Sequence, residues 1–282
     1  MKYLIILIFM CNYVLAQENT EALWELGVGF GYVHFEHYPA ADQYASLALP
    51  FPTFQYRGEI LRADDREGTR AYLLKNNVWS LEFSGGGVFA LDASDNEARR
   101  DMPNLPWMIH LGPQVVGEFS DNMELRVGFF QAVSTDFSYT KTNGGVLDSK
   151  LMYQWDSEFI GKRNHTFIAS ILRFATKDYL ETYFQVPHQY VTPSRPYFEA
   201  KNGFLGHEIQ FFHAIKFGRT AVYAGASMTD YSASVNRGSP LHKSNMTVGY
   251  LVGITYLLHQ SQRNSVPLQS TEGIINKQRD KH

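Results

Sequence analysis

Three observations in the sequence predict an all-β fold, a transmembrane antiparallel outer-membrane β-barrel of about twelve strands, with ten as the alternative. The first is alternation: in segment after segment a face of bulky apolar residues opposes a face of Gly, Ser, Thr and charge, the period of two that a strand imposes. The second is the connections, which alternate strictly between tight and long from Leu74 onward. Barrels in an outer membrane do this because short turns face the periplasm and long loops face outward; a soluble sandwich has no reason to. The third is an N-terminus that reads as an export signal, on a chain with no later apolar run long enough for a membrane helix.

That signal, MKYLIILIFMCNYVLAQ, has one Lys, an apolar run from Tyr3 to Met10, and Val14 and Ala16 at the small-residue positions, so cleavage is expected between Ala16 and Gln17. Cys11, the one cysteine, falls inside it, and Ile8, Phe9 and Met10 do not supply the small residue that lipidation needs. The mature chain is therefore expected to lack thiols and disulfides. Residues 17–22 read as a short periplasmic N-terminal segment, 23–258 as the barrel and 259–282 as a polar periplasmic tail whose composition predicts disorder.

Along the barrel, residues 23–34 put Trp24, Leu26, Val28, Phe30 and Tyr32 on one face, and Glu25, Gly27, Gly29 and Gly31 on the other. Residues 35–52 read as the first long loop. Between Thr53 and Lys75 the parity of crossings must be odd; the short pieces TFQYR, ILRA and TRAYLLK supply three strands and a total of twelve, whereas one long bent strand gives ten. Residues 78–91 repeat the alternation with Trp79, Leu81 and Phe83 against Ser80, Glu82 and Ser84, and strands follow over 108–119, 123–134, 147–160, 164–175, 203–217 and 220–231. The tight turns are KNN, SDN, GKRN and FGR; the remaining long loops are 92–107, 135–146, 176–202 and 232–245. The last strand turns Met246, Val248, Tyr250, Val252, Ile254 and Tyr256 to lipid. Thr247, Gly249, Gly253 and Thr255 face the lumen, where small residues let the sheet curve.

A net charge of −3 and a pI near 6.4 give no pull toward nucleic acid, while 20 Phe and 17 Tyr against 19% charged residues fit a β-rich chain. Trp24, Trp79, Trp107 and Trp155 sit near strand ends and, with Tyr250 and Tyr256, are expected at the lipid interfaces, where an indole or phenol keeps its polar group in water. Glu25, Glu82, Glu118, Glu124, Arg126 and Arg173 face inward. They either line a small pore or pair with one another and fill a narrow lumen, because twelve strands lie between filled and open barrels.

Catalytic chemistry is not legible. In HFEH the two imidazoles His34 and His37 and the carboxylate Glu36 alternate in direction, which predicts an interfacial or loop histidine pair and no metal site. HEIQFFH places Phe211 where a zinc motif needs its second histidine. SGGGVFALD lacks the Lys-Ser/Thr of a phosphate loop, and DASDNEARRD reads as a solvated outer loop, with cation or lipopolysaccharide contact as the alternative. No spacing joins a nucleophile to a base, and no catalytic, cofactor or metal residue is expected.

Four segments in order, LPFPTFQYRGE (49–59), DYLETYFQV (178–186), RPYFEAKNGFLGHEI (195–209) and DYSASVNRGSPLHKSNMTVGYLVGITY (230–256), resemble the MipA/OmpV family of outer-membrane proteins. Gln185 stands where that family usually has Gly, and the chain continues past the usual terminal aromatic, a place that Tyr256 takes. The resemblance implies a non-enzymatic scaffold or anchor in the outer membrane of a Gram-negative bacterium. Around it would lie lipid and lipopolysaccharide, and its partners would be a lytic transglycosylase and a murein synthase. A small pore or solute channel is the alternative.

Overall fold

A computed structural model describes residues 22–64, 68–135, 140–159 and 161–265. The expected cleavage point between Ala16 and Gln17, and the tail from residue 266, lie outside the described residues. Twelve antiparallel strands close into one barrel. In order they are β1 (Trp24–Glu36), β2 (Tyr44–Arg57), β3 (Leu61–Asp64), β4 (Gly68–Lys75), β5 (Trp79–Val88), β6 (Trp107–Ser120), β7 (Met123–Thr135), β8 (Thr140–Phe159), β9 (Lys162–Ala175), β10 (Gly203–Phe217), β11 (Thr220–Asp230) and β12 (Met246–Gln260). Each pairs with its sequence neighbour, and β12 closes on β1 with Phe30 opposite Ile254. The ten-strand alternative is thereby set aside.

Two expected boundaries move. Residues 44–52, read as part of the first long loop, belong to β2, which pairs with β1 from Tyr44 opposite Glu36 to Tyr56 opposite Trp24. The first outer loop is thus only residues 37–43, and β2 is a full-length strand of 14 residues. Residues 140–146, read as loop, likewise belong to β8, which is 20 residues long and pairs with β7 as far as Thr140 opposite Thr135. At the other end β12 runs to Gln260, and Leu23 N–H donates to Arg263 O at 2.7 Å, which ties the start of the tail to the N-terminal segment.

The outer wall is a belt of apolar side chains: Val28, Phe30, Val248, Val252 and Ile254 are each about half exposed. A monomer in water does not carry a continuous belt of this kind, whereas a bilayer covers it. At the loop end of the belt the His34 ring stacks between Tyr44 and Tyr250, at 4.9 Å from each, and Tyr32 lies 6.0 Å from Tyr250. These amphipathic rings mark the outer interface.

Inside, an apolar layer crosses the middle of the lumen. Phe51 of β2 packs with Met152, Phe167, Phe212 and Tyr223 from the opposite wall, and the Phe167 and Phe212 rings stack at 5.3 Å. The inward glycines make room for these rings. A Cβ on Gly29 would lie 2.4 Å from Phe51 Cζ, and one on Gly253 would lie 2.3 Å from Tyr223 Oη. The small residues of β1 and β12 are therefore sockets for aromatics of the adjacent strands, Phe51 of β2 and Tyr223 of β11.

Gly29→Ala should cost about 1–3 kcal/mol from overpacking, and adding Phe51→Ala should recover much of that loss. Urea titration of the barrel in lipid vesicles, followed by heat-modifiable gel migration, measures the coupling; additive losses would show that Phe51 does not occupy the Gly29 socket.

Candidate functional site

The lumen below the aromatic layer holds ionisable side chains that are buried and balanced in sign. Glu25, Glu82 and Glu124 share this region with Arg57, Arg70 and Arg126, and all six are nearly inaccessible. Arg57 Nη1 donates to Glu25 Oε1 at 2.9 Å and to Ala22 O at 3.0 Å, and its Nη2 donates to Gln55. Arg126 Nε donates to Glu124 Oε1 at 2.6 Å, and its Nη1 stands 3.9 Å from Glu82 Oε2. Glu82 accepts further bonds from Ser80 Oγ at 2.8 Å and Gln114 Nε2 at 2.9 Å. Buried charges are tolerable only when partners and hydrogen bonds replace water, and alternation delivers that here by aiming every second side chain of five strands into one narrow space.

The other two inward residues named from sequence lie elsewhere. Glu118 is at the turn end, half exposed, and accepts from Lys75 Nζ at 3.0 Å. Arg173 is above the aromatic layer, clamped by Asp148 with Nε–Oδ1 at 3.0 Å and Nη2–Oδ2 at 3.3 Å, while Nη1 reaches Glu208 Oε2 at 3.4 Å. Arg57, Arg70, Asp148 and Glu208 were not singled out from sequence. Asp148 and Arg173 face each other across β8 and β9 and Glu208 sits beside them on β10, a relation that appears only when the register is known.

Of the interface aromatics, Trp79, Tyr250 and Tyr256 are exposed on the outer wall, while Trp24 and Trp155 are partly covered, Trp155 lying 5.7 Å from Tyr153. Trp107 is buried instead, 5.5 Å from Phe89. His34 turns outward, Glu36 turns inward to accept from Tyr231 Oη at 2.5 Å, and His37 faces Asn96 at 3.2 Å, so HFEH brings no ligands together. On the outer wall His34, His207 and His213 each meet a cross-strand hydroxyl, of Ser46, Ser170 and Thr166, at 2.8 Å. A polar ring facing lipid needs such a partner. The Ser170–His207 pair has no oxyanion donors, because the β9 amides are spent in the sheet. Among the described residues no three His, Cys, Asp or Glu side chains are placed to hold a metal ion.

Above the strands the outer loops form a folded lid. Within residues 176–202, read as loop, α1 (Lys177–Phe184) buries Tyr179, Leu180, Tyr183 and Phe184 in the barrel mouth. DASDNEARRD is not a solvated loop: it forms two short 3₁₀ turns and buries Asn96 and Arg99. Arg99 donates to Tyr183 O at 3.1 Å and lies 5.6 Å from the Tyr38 ring centre; burial brings its pKa down to about 10, so it stays charged at neutral pH. Arg195 binds Ala98 O at 3.0 Å and Arg100 O at 2.8 Å, stitching one loop to the next.

A sequence model described as MltA-interacting protein MipA matches residues 26–258. The chain belongs to the MipA family. No curated protein matches it. Solved structures similar to it include LpxR from Salmonella typhimurium, at 8% identity and a TM-score of 0.30, with 82% of this chain and 100% of that one covered. Pseudomonas putida OprB is 8% identical with a TM-score of 0.28, covering 86% and 99%; OmpT of Vibrio cholerae is 10% identical at 0.21, covering 87% and 100%. Likenesses this remote carry no argument about activity. The family and the twelve-strand closed sheet make the protein an outer-membrane type of barrel.

Arg126→Met should destabilise this MipA-family barrel by about 3–5 kcal/mol, since it leaves carboxylates buried without their cation. Adding Glu82→Gln and Glu124→Gln should restore most of that, as read from urea midpoints. A second expectation concerns the lid. Burial lowers the pKa of His37 and of His242 below the ordinary 6.5, against weaker opposing pulls from Asp95 and from Asn245. The folded lid thus prefers both rings neutral, and its stability is full above about pH 6.5 and declines as the pH falls below it. The hydrogen-exchange protection factors of residues 37–43 and 231–245, corrected for the intrinsic pH dependence of exchange, should fall between pH 7.5 and 5, and His37→Gln with His242→Gln should flatten that dependence.

Proposed function

We propose that this barrel is a closed, non-enzymatic anchor in the outer membrane of a Gram-negative bacterium, holding a murein lytic transglycosylase, and through it a murein synthase, at the periplasmic face. The observation that carries the reading is the filled lumen: a neutral layer of paired charges, an aromatic layer and a folded lid lie in series along the axis. A conduit gains nothing from three such layers, whereas a rigid membrane fixture does. The partner follows from the family's description as MltA-interacting. The contact surface on this reading is the turn end, with Asn76, Asn122 and Arg219 beside the start of the tail, since the lid end faces away from murein. Lipid and lipopolysaccharide surround the apolar belt.

Planar bilayers with the purified protein should show no repeated step currents, and the immobilised full chain should retain a murein lytic transglycosylase from a periplasmic extract. Regular steps would favour the small-pore reading and overturn the closed one. A protein that retained no murein enzyme would remove the anchor role while leaving the barrel in place.

A further inference from the structure

The barrel wall has an opening on one side. β3 has only four residues and meets β2 at Tyr56 and Arg57 alone. β4 meets β5 no farther than Arg70 opposite Ser84. Toward the loops, residues 46–52 of β2 and 85–88 of β5 therefore face each other with no described strand between them. At about 3.3 Å per residue the free edge is roughly 20 Å long on β2 and roughly 10 Å on β5. The β3–β4 hairpin bounds the opening below. Above, loop contacts bridge it, with Glu97 N–H donating to Gln43 Oε1 at 2.7 Å and the Phe35 and Phe89 rings stacked at 5.3 Å.

The direction of the backbone groups is fixed by the register. Arg57 N–H donates to Leu23 O on the β1 side, and the β1–β2 pairing has no bulge. Odd-numbered residues of β2 thus turn their amides to β1, and even-numbered ones turn them into the opening. Pro50 and Pro52 are even-numbered. They lie opposite Phe30 and Val28, within the apolar belt, whereas Ser46 and Ala48 lie opposite His34 and Tyr32 at the outer interface. An unpaired amide N–H facing hydrocarbon costs several kcal/mol; proline has none. The β2 rim therefore loses its donors at Pro50 and Pro52 and keeps its carbonyl acceptors, whereas on the β5 rim, whose even-numbered residues bond to β6, Gly85 and Gly87 turn both amide and carbonyl into the opening.

Behind the opening is a cavity of about 350 Å³. Gly86, Gly87 and Val88 of the free β5 edge line it, with Phe89 and Phe130 as apolar wall. A side chain at Gly86 would point into open space. The polar wall holds Glu36, Asp148 and Arg173, and Glu208 stands on the far side of the guanidinium. Asp148 and Glu208 outnumber the one guanidinium, which makes this region electronegative, and His110, whose Nε2 has no hydrogen-bond partner among the described residues, lines the same space.

We infer that this cavity is a binding site for a small single-tailed amphiphile with a cationic amine head, taken sideways from the outer leaflet through the opening between β2 and β5. The carboxylates at the inner end, reached past a β2 rim that has no donor at Pro50 and Pro52, fit a head that only donates; the belt and the aromatic wall fit the tail. The site goes beyond the anchor role and does not depend on it.

Trp107 reports on it, because its ring lies tilted against Phe89 of the cavity wall, 5.5 Å away. The full-length protein carrying Trp24→Phe, Trp79→Phe and Trp155→Phe, placed in phosphatidylcholine nanodiscs, is titrated with 11-bromoundecylamine, whose bromine quenches indole. Saturable quenching is expected, at least tenfold weaker for 11-bromoundecanoate. Gly86→Phe, checked for folding by heat-modifiable migration, should leave only the shallow linear quenching of lipid-dissolved probe. Ala48→Leu, on the lipid side of the edge, should slow quenching severalfold at unchanged amplitude. Linear quenching in the parent protein, equal binding of the carboxylate, or full competition by tail-less butylamine would each overturn the proposal.

Discussion

A strand in a membrane has to place every backbone N–H and C=O against a neighbour, and the organisation of this protein depends on that constraint. It closes β12 onto β1, matches strand to strand around the ring and, except beside the short β3, confines unpaired backbone to the two ends. Where the ring is incomplete, beside the short β3, the same constraint accounts for the chemistry of the exposed edge. Pro50 and Pro52 look like strand breakers in isolation. Their missing donors are tolerated in β2 because the donors would have pointed at no acceptor.

Closing the sheet creates an interior that also has to be filled, and the solution differs with depth. Near the turns, carboxylates and guanidiniums neutralise one another. At mid-height, inward aromatics seat over glycines of the adjacent strand, so that Gly29 and Phe51, neighbours across the β1–β2 pair, act as socket and plug. At the mouth, α1 and the loops supply a conventional core of Tyr179, Leu180, Tyr183 and Phe184. Glycine on an inner face thus signals a ring arriving from elsewhere as well as curvature, and glycine alone is no sign of a channel.

Alternation made most strands legible in the sequence because outward and inward environments differ so sharply in a membrane barrel. It failed where local chemistry and tertiary context disagree. β2 was hidden by its prolines, and α1 by its setting: eight residues of mixed polarity in a segment framed by turns show helical spacing only at Tyr179, Leu180, Tyr183 and Phe184, which bury because the barrel mouth receives them. The inward charges could be named one by one, yet their partners could not. Arg57 finds Glu25 from 32 residues away and Arg173 finds Glu208 from 35, and those distances close only through the register of the sheet.

A filled lumen and a side opening are compatible because they obstruct different routes. The aromatic layer blocks passage along the axis, so the cavity above it is a pocket with a floor and not a stretch of conduit. The lid, pinned by Arg99 and Arg195 to loop carbonyls, narrows the way in from the aqueous side. With floor and roof held, the wall beside β2 is the direction in which least has to move, and it faces lipid. A fixture that gave up conductance for rigidity would in this way still exchange small molecules with the leaflet that surrounds it, and Asp148 and Glu208, which outnumber Arg173, set the sign of the head group it would admit.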